Sequence, residues 1–144
     1  LLYLKDQELK QYIEKIFVGY RETVSDAKKI LDKYSIGVAH NKVIHLISLY
    51  EGITISELLK KLKITKQSLN RVLKELKRLK LIKQVRDKND TRRKLLYLDQ
   101  NGKKFYQEVF ESQKKRIFNA LKHSDSDSVI KFKEVLKKII NGKK

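Results

Sequence analysis

Apolar residues recur every three or four positions over most of the chain, a spacing that is typical of helices with one buried face. The first such stretch predicts a single helix over residues 4–35, which is longer than a small domain is wide. Polar or glycine-containing breaks separate five further helical stretches, over residues 38–50, 57–62, 66–80, 100–122 and 127–141. The pattern therefore predicts a mainly α-helical protein.

Two short runs interrupt the helical spacing and have the length of β-strands. They are "LIKQV" (81–85) and "KLLYL" (94–98), and the polar segment between them, with Asn89 and Asp90 at its centre, suits a hairpin turn. "ITI" (53–55) is a candidate for a third, very short strand. We expect a small β-hairpin, or wing, attached to the helices.

The order of these elements matches a known architecture. Two helices, a turn, a third helix and a hairpin in succession form the winged helix-turn-helix arrangement. We therefore predict a single domain over 1–144, in which residues 38–104 form the winged lobe. The helices within 1–37 and 105–144 carry apolar faces that this lobe does not need for its own core. We expect these helices to join two copies into a homodimer.

The chain carries a formal charge of +18, from 35 Lys and Arg against 17 Asp and Glu. Residues 60–94 hold 15 basic and 3 acidic residues, so about a quarter of the chain contributes +12 of that charge. Such a concentration favours a polyanionic partner, either nucleic acid or an anionic membrane surface. The excess of Lys over Arg, 28 to 7, is also what an A/T-rich genome produces, so the placement of the charge is more informative than its total.

Several classes of function are disfavoured by the composition. The absence of Cys excludes disulfides and thiolate metal sites, and no apolar run reaches the roughly 18–20 residues of a membrane span. We expect a cytoplasmic protein without a membrane partner. No Gly-rich phosphate loop, nucleophile elbow or His–carboxylate spacing is present, so we predict neither an enzyme nor a cofactor.

His40 and His45 are five positions apart and do not share a helix face, so we expect no metal site there. They remain candidates for two other roles. Either histidine could line a ligand pocket or lie with its hydrogen bonds satisfied at a dimer interface, and we favour the interface.

On a helical wheel, the helix over 66–80 has an apolar face opposite a polar one. The polar face matches a DNA major groove, because Arg can make paired bonds to guanine and Gln or Asn to adenine. The alternative is an ordinary solvated face, but such a face usually mixes Glu with Lys, and Glu75 is the one acid between Glu57 and Asp87. The candidate DNA-binding residues of this helix are Gln67, Ser68, Asn70, Arg71 and Lys74.

The starts of two helices provide candidate phosphate-binding positions. Ser56 and Thr65 are predicted N-caps, and the free backbone N–H groups beyond an N-cap can bind phosphate oxygens. Lys66 lies next to Thr65 and can reach phosphates as well. We therefore add these three residues to the candidate DNA-binding set.

The predicted wing carries its own charge pattern. Arg92 and Arg93 lie near its tip, where an Arg is well suited to a narrow, A/T-rich minor groove. Asp87 and Asp90 would repel phosphates, so we expect them to have a structural role, holding Arg92 or an Arg of a helix by paired hydrogen bonds.

These features together resemble the multiple-antibiotic-resistance repressor (MarR) family, most clearly over residues 53–106. The wing signature of that family, Asp-x-Arg-Asp-x-Arg, corresponds here to residues 87–92, in which Asn89 replaces the first Arg. Lys80 stands where members usually place a Gly, and "LDQNG" (98–102) matches the family pattern "LTxxG". The resemblance implies a homodimer joined by its terminal helices, with two winged lobes on a palindromic operator. In many members of the family, a small molecule bound between the lobes releases the protein from DNA, and the resemblance implies the same here.

We therefore predict a sequence-specific transcriptional regulator, most often a repressor, that binds double-stranded DNA as a dimer and is either constitutive or released by a small-molecule effector. The alternative is a non-specific architectural protein that coats DNA, which the high ratio of Lys to Arg favours slightly. A winged domain used for protein contact would expose an apolar helix face, and the helix over 66–80 has a polar one.

Overall fold

A computed structural model of the protein describes residues 4–142. Residues 1–3 and 143–144, the two ends of the predicted 1–144 domain, lie outside the described residues. The described chain forms seven helices and three strands in the order α1 (Asp6–Ser25), α2 (Lys28–Lys33), α3 (Val38–Leu49), β1 (Ile53–Thr54), α4 (Ile55–Leu62), α5 (Lys66–Arg78), β2 (Ile82–Arg86), β3 (Lys94–Leu98), α6 (Gln100–Lys122) and α7 (Ser126–Ile140). The predicted fold class, mainly α with a small β wing, is confirmed.

The prediction of one helix over residues 4–35 is wrong, because a turn at Asp26 and Ala27 separates α1 from α2. At this turn Ala27 is fully buried, and the carboxylate of Asp26 accepts two hydrogen bonds from Arg116 of α6, at 2.6 and 3.0 Å. Leu31 of α2 is also buried in the core. The apolar spacing continues through the turn, so periodicity alone could not reveal it.

The sheet is antiparallel, with strand order β1-β3-β2. β3 pairs with β2 over its whole length, from Ile82 opposite Leu98 to Arg86 opposite Lys94. On its other side β3 pairs with the two residues of β1, Ile53 and Thr54. The predicted hairpin is confirmed, and the seven residues between β2 and β3 form its loop.

The core lies where α3 and α5 meet the sheet and the start of α6. Fully buried side chains come from each of these elements and from α4; the largest are Phe105, Ile44, Ile47, Leu58, Leu69, Leu76, Leu96, Val43 and Val109. Burial of this many large apolar side chains stabilises the winged lobe.

The predicted helix caps are partly right. The Thr65 hydroxyl accepts a hydrogen bond from the backbone N–H of Ser68, and Asp99 caps α6. Ser56 is not an N-cap, because α4 begins one residue earlier and is capped by Thr54, whose hydroxyl accepts from the N–H of Glu57. Thr and Ser are both good caps, and the short β1 strand places Thr54 at the helix start.

The terminal helices leave large apolar side chains uncovered. Neither α1 nor α7 buries a single residue, although both are amphipathic. The exposed apolar residues of the three terminal helices are Leu9, Tyr12, Ile13, Ile16, Phe17 and Tyr20 of α1, Phe110, Ile117 and Phe118 of α6, and Ile130, Phe132, Val135, Leu136, Ile139 and Ile140 of α7. Within residues 4–142, no helix is long and apolar enough to cross a membrane.

Candidate nucleic-acid interface

The polar face of α5 is exposed as predicted. Leu69, Val72, Leu73 and Leu76 are buried, which fixes the rotation of the helix on the core. All the residues predicted to contact DNA from this helix are exposed: Lys66, Gln67, Ser68, Asn70, Arg71 and Lys74. A cationic helix face thus stands outward from the lobe, and the role of each side chain towards DNA stays a prediction.

Glu75, the one acidic residue of α5, is held by the protein. Its carboxylate lies 3.1 Å from Nε2 of His40 on α3 and 4.0 Å from the guanidinium of Arg78. The negative charge is therefore partly offset, and His40 has a partner within its own lobe. The dimer-interface role that we favour for His40 stays a prediction.

The start of α5 is held in shape by side chains. The Thr65 hydroxyl donates to the Ser68 hydroxyl at 2.8 Å, while accepting from the Ser68 backbone N–H at 3.1 Å. One free N–H of the first turn is thereby satisfied, and the others remain available to an anion. Ser56 lies in the first turn of α4 and is exposed, although it does not cap that helix.

At the wing tip Arg92 and Asp90 form a pair. Nε and Nη2 of Arg92 donate to the two carboxylate oxygens of Asp90 at 3.2 and 3.4 Å, yet the Arg92 side chain is 91% exposed. The pairing lowers the pKa of Asp90, chiefly through the hydrogen bond from the Arg92 side chain. Asp90 thus contacts Arg92, which projects from the hairpin, and the structural role expected of the two wing carboxylates stays a prediction.

Arg93 occupies a different environment. Its guanidinium lies 3.7 Å from Asp87 and 3.8 Å from Glu57 of α4, and half of its side chain is exposed. Arg93 therefore links the root of the wing to α4. Of the two arginines predicted for the minor groove, Arg92 is the one that projects.

A cavity of about 380 Å³ lies between the terminal helices and the winged lobe. Its wall combines apolar residues of α1, α2 and α3 with the cationic Lys42 and Lys61. The Oδ1 atom of Asn41, also in the wall, is buried without a hydrogen-bond partner within residues 4–142. An apolar cavity with a few polar groups is typical of a small-molecule site.

His45 lines the same cavity and contacts α6. Its Nδ1 atom lies 2.9 Å from the hydroxyl of Tyr106. Partial burial lowers the pKa of His45 and raises that of Tyr106. The neutral ring can therefore accept the Tyr106 O–H hydrogen bond. No group of three His, Asp or Glu that could hold a metal ion occurs in the part of the chain that the structure describes.

A helix-turn-helix whose second helix exposes a cationic face, followed by a basic antiparallel wing, defines a winged helix-turn-helix protein. Comparison with known proteins identifies the family within this class. The sequence model of the MarR family matches residues 39–93. The HTH-type transcriptional regulator PetP of Rhodobacter capsulatus is 35% identical over 141 residues, covering 98% of this chain and 85% of that protein. The chain belongs to the MarR family and is a transcriptional regulator, not an enzyme.

Solved structures show the same fold. FabT of Streptococcus pneumoniae, in complex with DNA, superposes with a TM-score of 0.74 at 19% identity, over 95% of this chain and 96% of that one. The MarR protein of Staphylococcus aureus, in complex with salicylate and kanamycin, gives 0.71 at 22% identity, over 93% and 91%. The resemblance seen in the sequence is thereby confirmed at the level of fold and family.

Some groups at this surface could not be found from the sequence. Lys77, Gln84 and Lys94 come together in a concavity between α5 and the wing, but they belong to three different elements. The hairpin register, with Lys94 opposite Arg86, is what places Lys94 beside α5. The amide of Asn41 gives no signal in the sequence, because a buried unpaired amide can be recognised only once its surroundings are known.

Proposed function

We propose that the protein is a homodimeric repressor that binds a palindromic operator in double-stranded DNA. The observation that carries the proposal is the exposed face of α5, which bears cationic and amide side chains. The one acidic residue of this helix contacts His40 and Arg78. In a major groove Arg71 would read guanine, and Gln67 and Asn70 adenine. The adjoining phosphates would be bound by Ser68, Lys74, Lys66, Thr65 and Ser56.

The wing would enter the neighbouring minor groove through Arg92. Its projection from the hairpin, with Asp90 setting its direction, supports this role over Arg93, which lies between two carboxylates. Asp87 and Asp90 would act by holding these arginines. FabT, a protein of the same fold, has been solved in complex with DNA, which supports DNA binding by this fold.

A dimer is supported by the uncovered apolar faces of α1, α6 and α7. A helix such as α7, none of whose residues is fully buried within its own chain, gains little from packing in the monomer and would be marginal alone in water. A two-fold dimer would cover these faces and place two α5 helices on half-sites about one helical turn apart, ~34 Å. A dimer lying on two successive major grooves excludes other proteins from that stretch, which makes repression the simplest outcome.

The cavity between the terminal helices and the winged lobe would hold the effector. Lys42 and Lys61 favour an anion, the apolar wall favours an aromatic body, and Asn41 Oδ1 needs a hydrogen-bond donor. Salicylate, present in the S. aureus MarR structure, has this chemistry and is a suitable first probe. Salicylate should raise the dissociation constant of the DNA complex, and Lys42→Gln should reduce that response without changing DNA affinity in its absence.

Selection of bound duplexes from a random pool tests the proposal. A dimeric reader should enrich a two-fold symmetric sequence, and its affinity for that sequence should exceed its affinity for random duplex by ~10³ or more at physiological salt. A ratio near one, with no enriched motif, would support the architectural alternative. In vitro transcription from a promoter overlapping the enriched site then distinguishes repression from activation.

A further inference from the structure

The concavity between α5 and the wing is lined by lysines and amides. Its volume is about 330 Å³, and its wall comprises Asn70, Leu73, Lys74 and Lys77 of α5, Gln84 of β2, Lys94 of β3 and Ile55 of α4. Five of these seven side chains are polar, and three of them end in an ammonium group. Three positive charges therefore surround one small depression.

These ammonium groups lack acidic partners. Within residues 4–142, no carboxylate lies within ion-pair distance of Lys74, Lys77 or Lys94. Glu75, the nearest acid in sequence, faces His40 instead and does not line the depression. Like charges gathered without counter-charge raise the free energy of the unliganded surface, and an anion would lower it.

The hydrogen bond between Lys77 and Gln84 makes the depression a donor site. Nζ of Lys77 donates to Oε1 of Gln84 at 2.6 Å. An ammonium has three N–H groups and a side-chain amide has two. The N–H groups of Lys77 and Gln84 that this hydrogen bond does not use, together with those of Lys94, therefore make the depression mainly a set of hydrogen-bond donors. Burial, and secondarily the charge of Lys94, lower the pKa of Lys77. A ligand made only of acceptors and bearing negative charge satisfies such a site.

The geometry of duplex DNA identifies the source of that anion. Each sugar-phosphate strand separates a major groove from a minor groove. If α5 lies in a major groove and the tip of the wing lies in the adjacent minor groove, the strand between those grooves must cross the depression between α5 and the wing.

We propose that Lys77, Gln84 and Lys94 form a clamp for a backbone phosphate of the DNA strand that passes between the recognition helix and the wing. This inference rests on the proposed function. The clamp reads no base; it sets the distance between the two grooves that α5 and Arg92 occupy, and so the register of the lobe on the duplex.

Salt dependence of DNA binding tests the clamp. Each neutralised phosphate contributes about 0.9 to the slope of log K against log salt on B-DNA. The double variant Lys77→Gln/Lys94→Gln should therefore lower the slope by about 0.9 for each lobe bound. The control Lys29→Gln/Lys115→Gln removes the same charge from exposed positions on α2 and α6 and should leave the slope within half that change. Equal decreases for both pairs, or no decrease, would overturn the clamp while leaving operator binding intact.

Charge-preserving variants and altered DNA separate the clamp from a structural role. Lys77→Arg/Lys94→Arg should keep the parent slope. A neutral methylphosphonate, moved along the operator strand, should weaken the parent at the position between the two grooves and leave the double Gln variant unaffected there. If the parent and the double variant lose affinity equally at every position, the clamp is wrong. If the parent shows no operator preference at all, the proposed function itself fails.

Inorganic phosphate tests whether the depression serves a free anion instead. At constant ionic strength and low millimolar phosphate, too little to fill a weak site for a single phosphate, the melting temperatures of the parent and of the double Gln variant should shift equally. A rise confined to the parent would assign the depression to a free anion and overturn its assignment to the DNA backbone.

Discussion

The α-carbon of Gly102 lies so close to the carbonyl oxygen of Leu81 that a Cβ built on the glycine would be 1.9 Å from that oxygen. The same oxygen accepts a hydrogen bond from the backbone N–H of Asp99, at 2.9 Å. At Gly102 the first turn of α6 therefore packs directly against the backbone just before β2, the first strand of the wing. The position of the wing relative to α6 depends on this approach.

Gly102→Ala should therefore destabilise the fold. The new methyl group meets backbone, which cannot rotate away, so we expect a loss of at least ~2–3 kcal/mol in the free energy of unfolding. Urea denaturation followed by circular dichroism measures it. Gly19→Ala in α1 is the matched control, since nothing lies within 4 Å of its added Cβ and α1 is helical there. Gly19→Ala should raise the free energy of unfolding by about 0.5–1 kcal/mol. Equal effects of the two changes would refute the close approach at Gly102.

Lys80 adopts a left-handed backbone conformation, with φ of 58°. Its position follows α5, and the N–H of Leu81 donates to the Leu76 carbonyl, which closes the helix end. Family members usually place Gly there, and the turn here has the conformation that Gly favours, although the side chain is that of Lys. The turn therefore keeps its shape at a cost in backbone strain.

Lys80→Gly should accordingly stabilise the protein. The left-handed conformation costs an L-residue about 1–2 kcal/mol, a cost that Gly avoids. The greater freedom of Gly in the unfolded chain cancels about half of this benefit, so the free energy of unfolding should rise by about 0.5–1 kcal/mol. The change in the urea midpoint is the measurement. Lys104→Gly, at an exposed position inside α6, should instead lose about 1 kcal/mol. Destabilisation at both positions would show that Lys80 is not strained.

The extent to which the sequence predicts the structure differs from element to element. Periodicity and capping chemistry predict α5, its Thr65 cap and its outward polar face, because these depend on local spacing. The break between α1 and α2 is not predicted in this way, because periodicity continues through it, and the contact of Asp26 there is with Arg116, ninety positions away in the chain. Thr54 and Ser56 are both good local caps, and only the β1 pairing decides between them. The clamp residues are hidden in the sequence for the same reason, since register and packing assemble them.

Arg71→Ala tests base reading by α5. If Arg71 makes paired bonds to guanine, its removal should cost roughly 1–3 kcal/mol in operator affinity and relax preference at one base pair of each half-site. Binding to single-base operator variants measures both. Arg71→Lys retains the charge without the planar fork and should recover affinity for random duplex but not the base preference. A variant that binds every duplex as the parent does would show that α5 reads through other residues.

Lys74→Ala is the comparison variant for Arg71→Ala on the same helix face, because a phosphate contact carries no sequence information. We expect weaker binding to all duplexes alike and a salt slope that is smaller by about 1 for each phosphate that Lys74 neutralises. Titrations of operator and random duplex at several salt concentrations give both quantities. A change in base preference would instead assign Lys74 to a base edge.

The partial burial of His45 predicts a pH dependence of stability. Burial holds the pKa of His45 below its ordinary value of 6.5, so the unfolded chain binds this proton more readily than the folded one does. The contribution of His45 to stability is therefore complete above pH 6.5 and is lost as the pH falls below it towards the folded pKa. Melting temperatures between pH ~7.5 and ~5.5 should fall more steeply for the parent than for His45→Gln. Parallel curves would mean that His45 titrates alike in both states.

The apolar face of α7 provides the test of the dimer. Ile139 is half exposed in the single chain, and no residue of α7 is buried, so Ile139→Glu should leave the winged lobe folded. If α7 packs against a second copy, the new carboxylate would be buried there without a partner, which is costly enough to dissociate a modest interface. Sedimentation velocity should show a monomer at concentrations where the parent is a dimer, and operator affinity should fall because the two half-sites are no longer bound together.

Lys137→Gln is the matched control for the change at Ile139. It alters the charge by the same amount, and two residues along a helix place Lys137 about 160° around α7 from Ile139. Since the Lys137 side chain is exposed on that other side, its replacement should leave both the sedimentation coefficient and the operator affinity unchanged. A dimeric Ile139→Glu variant with parental affinity would place the two-fold interface elsewhere on the terminal helices, because the apolar face of α7 would then be open to solvent in the assembled protein.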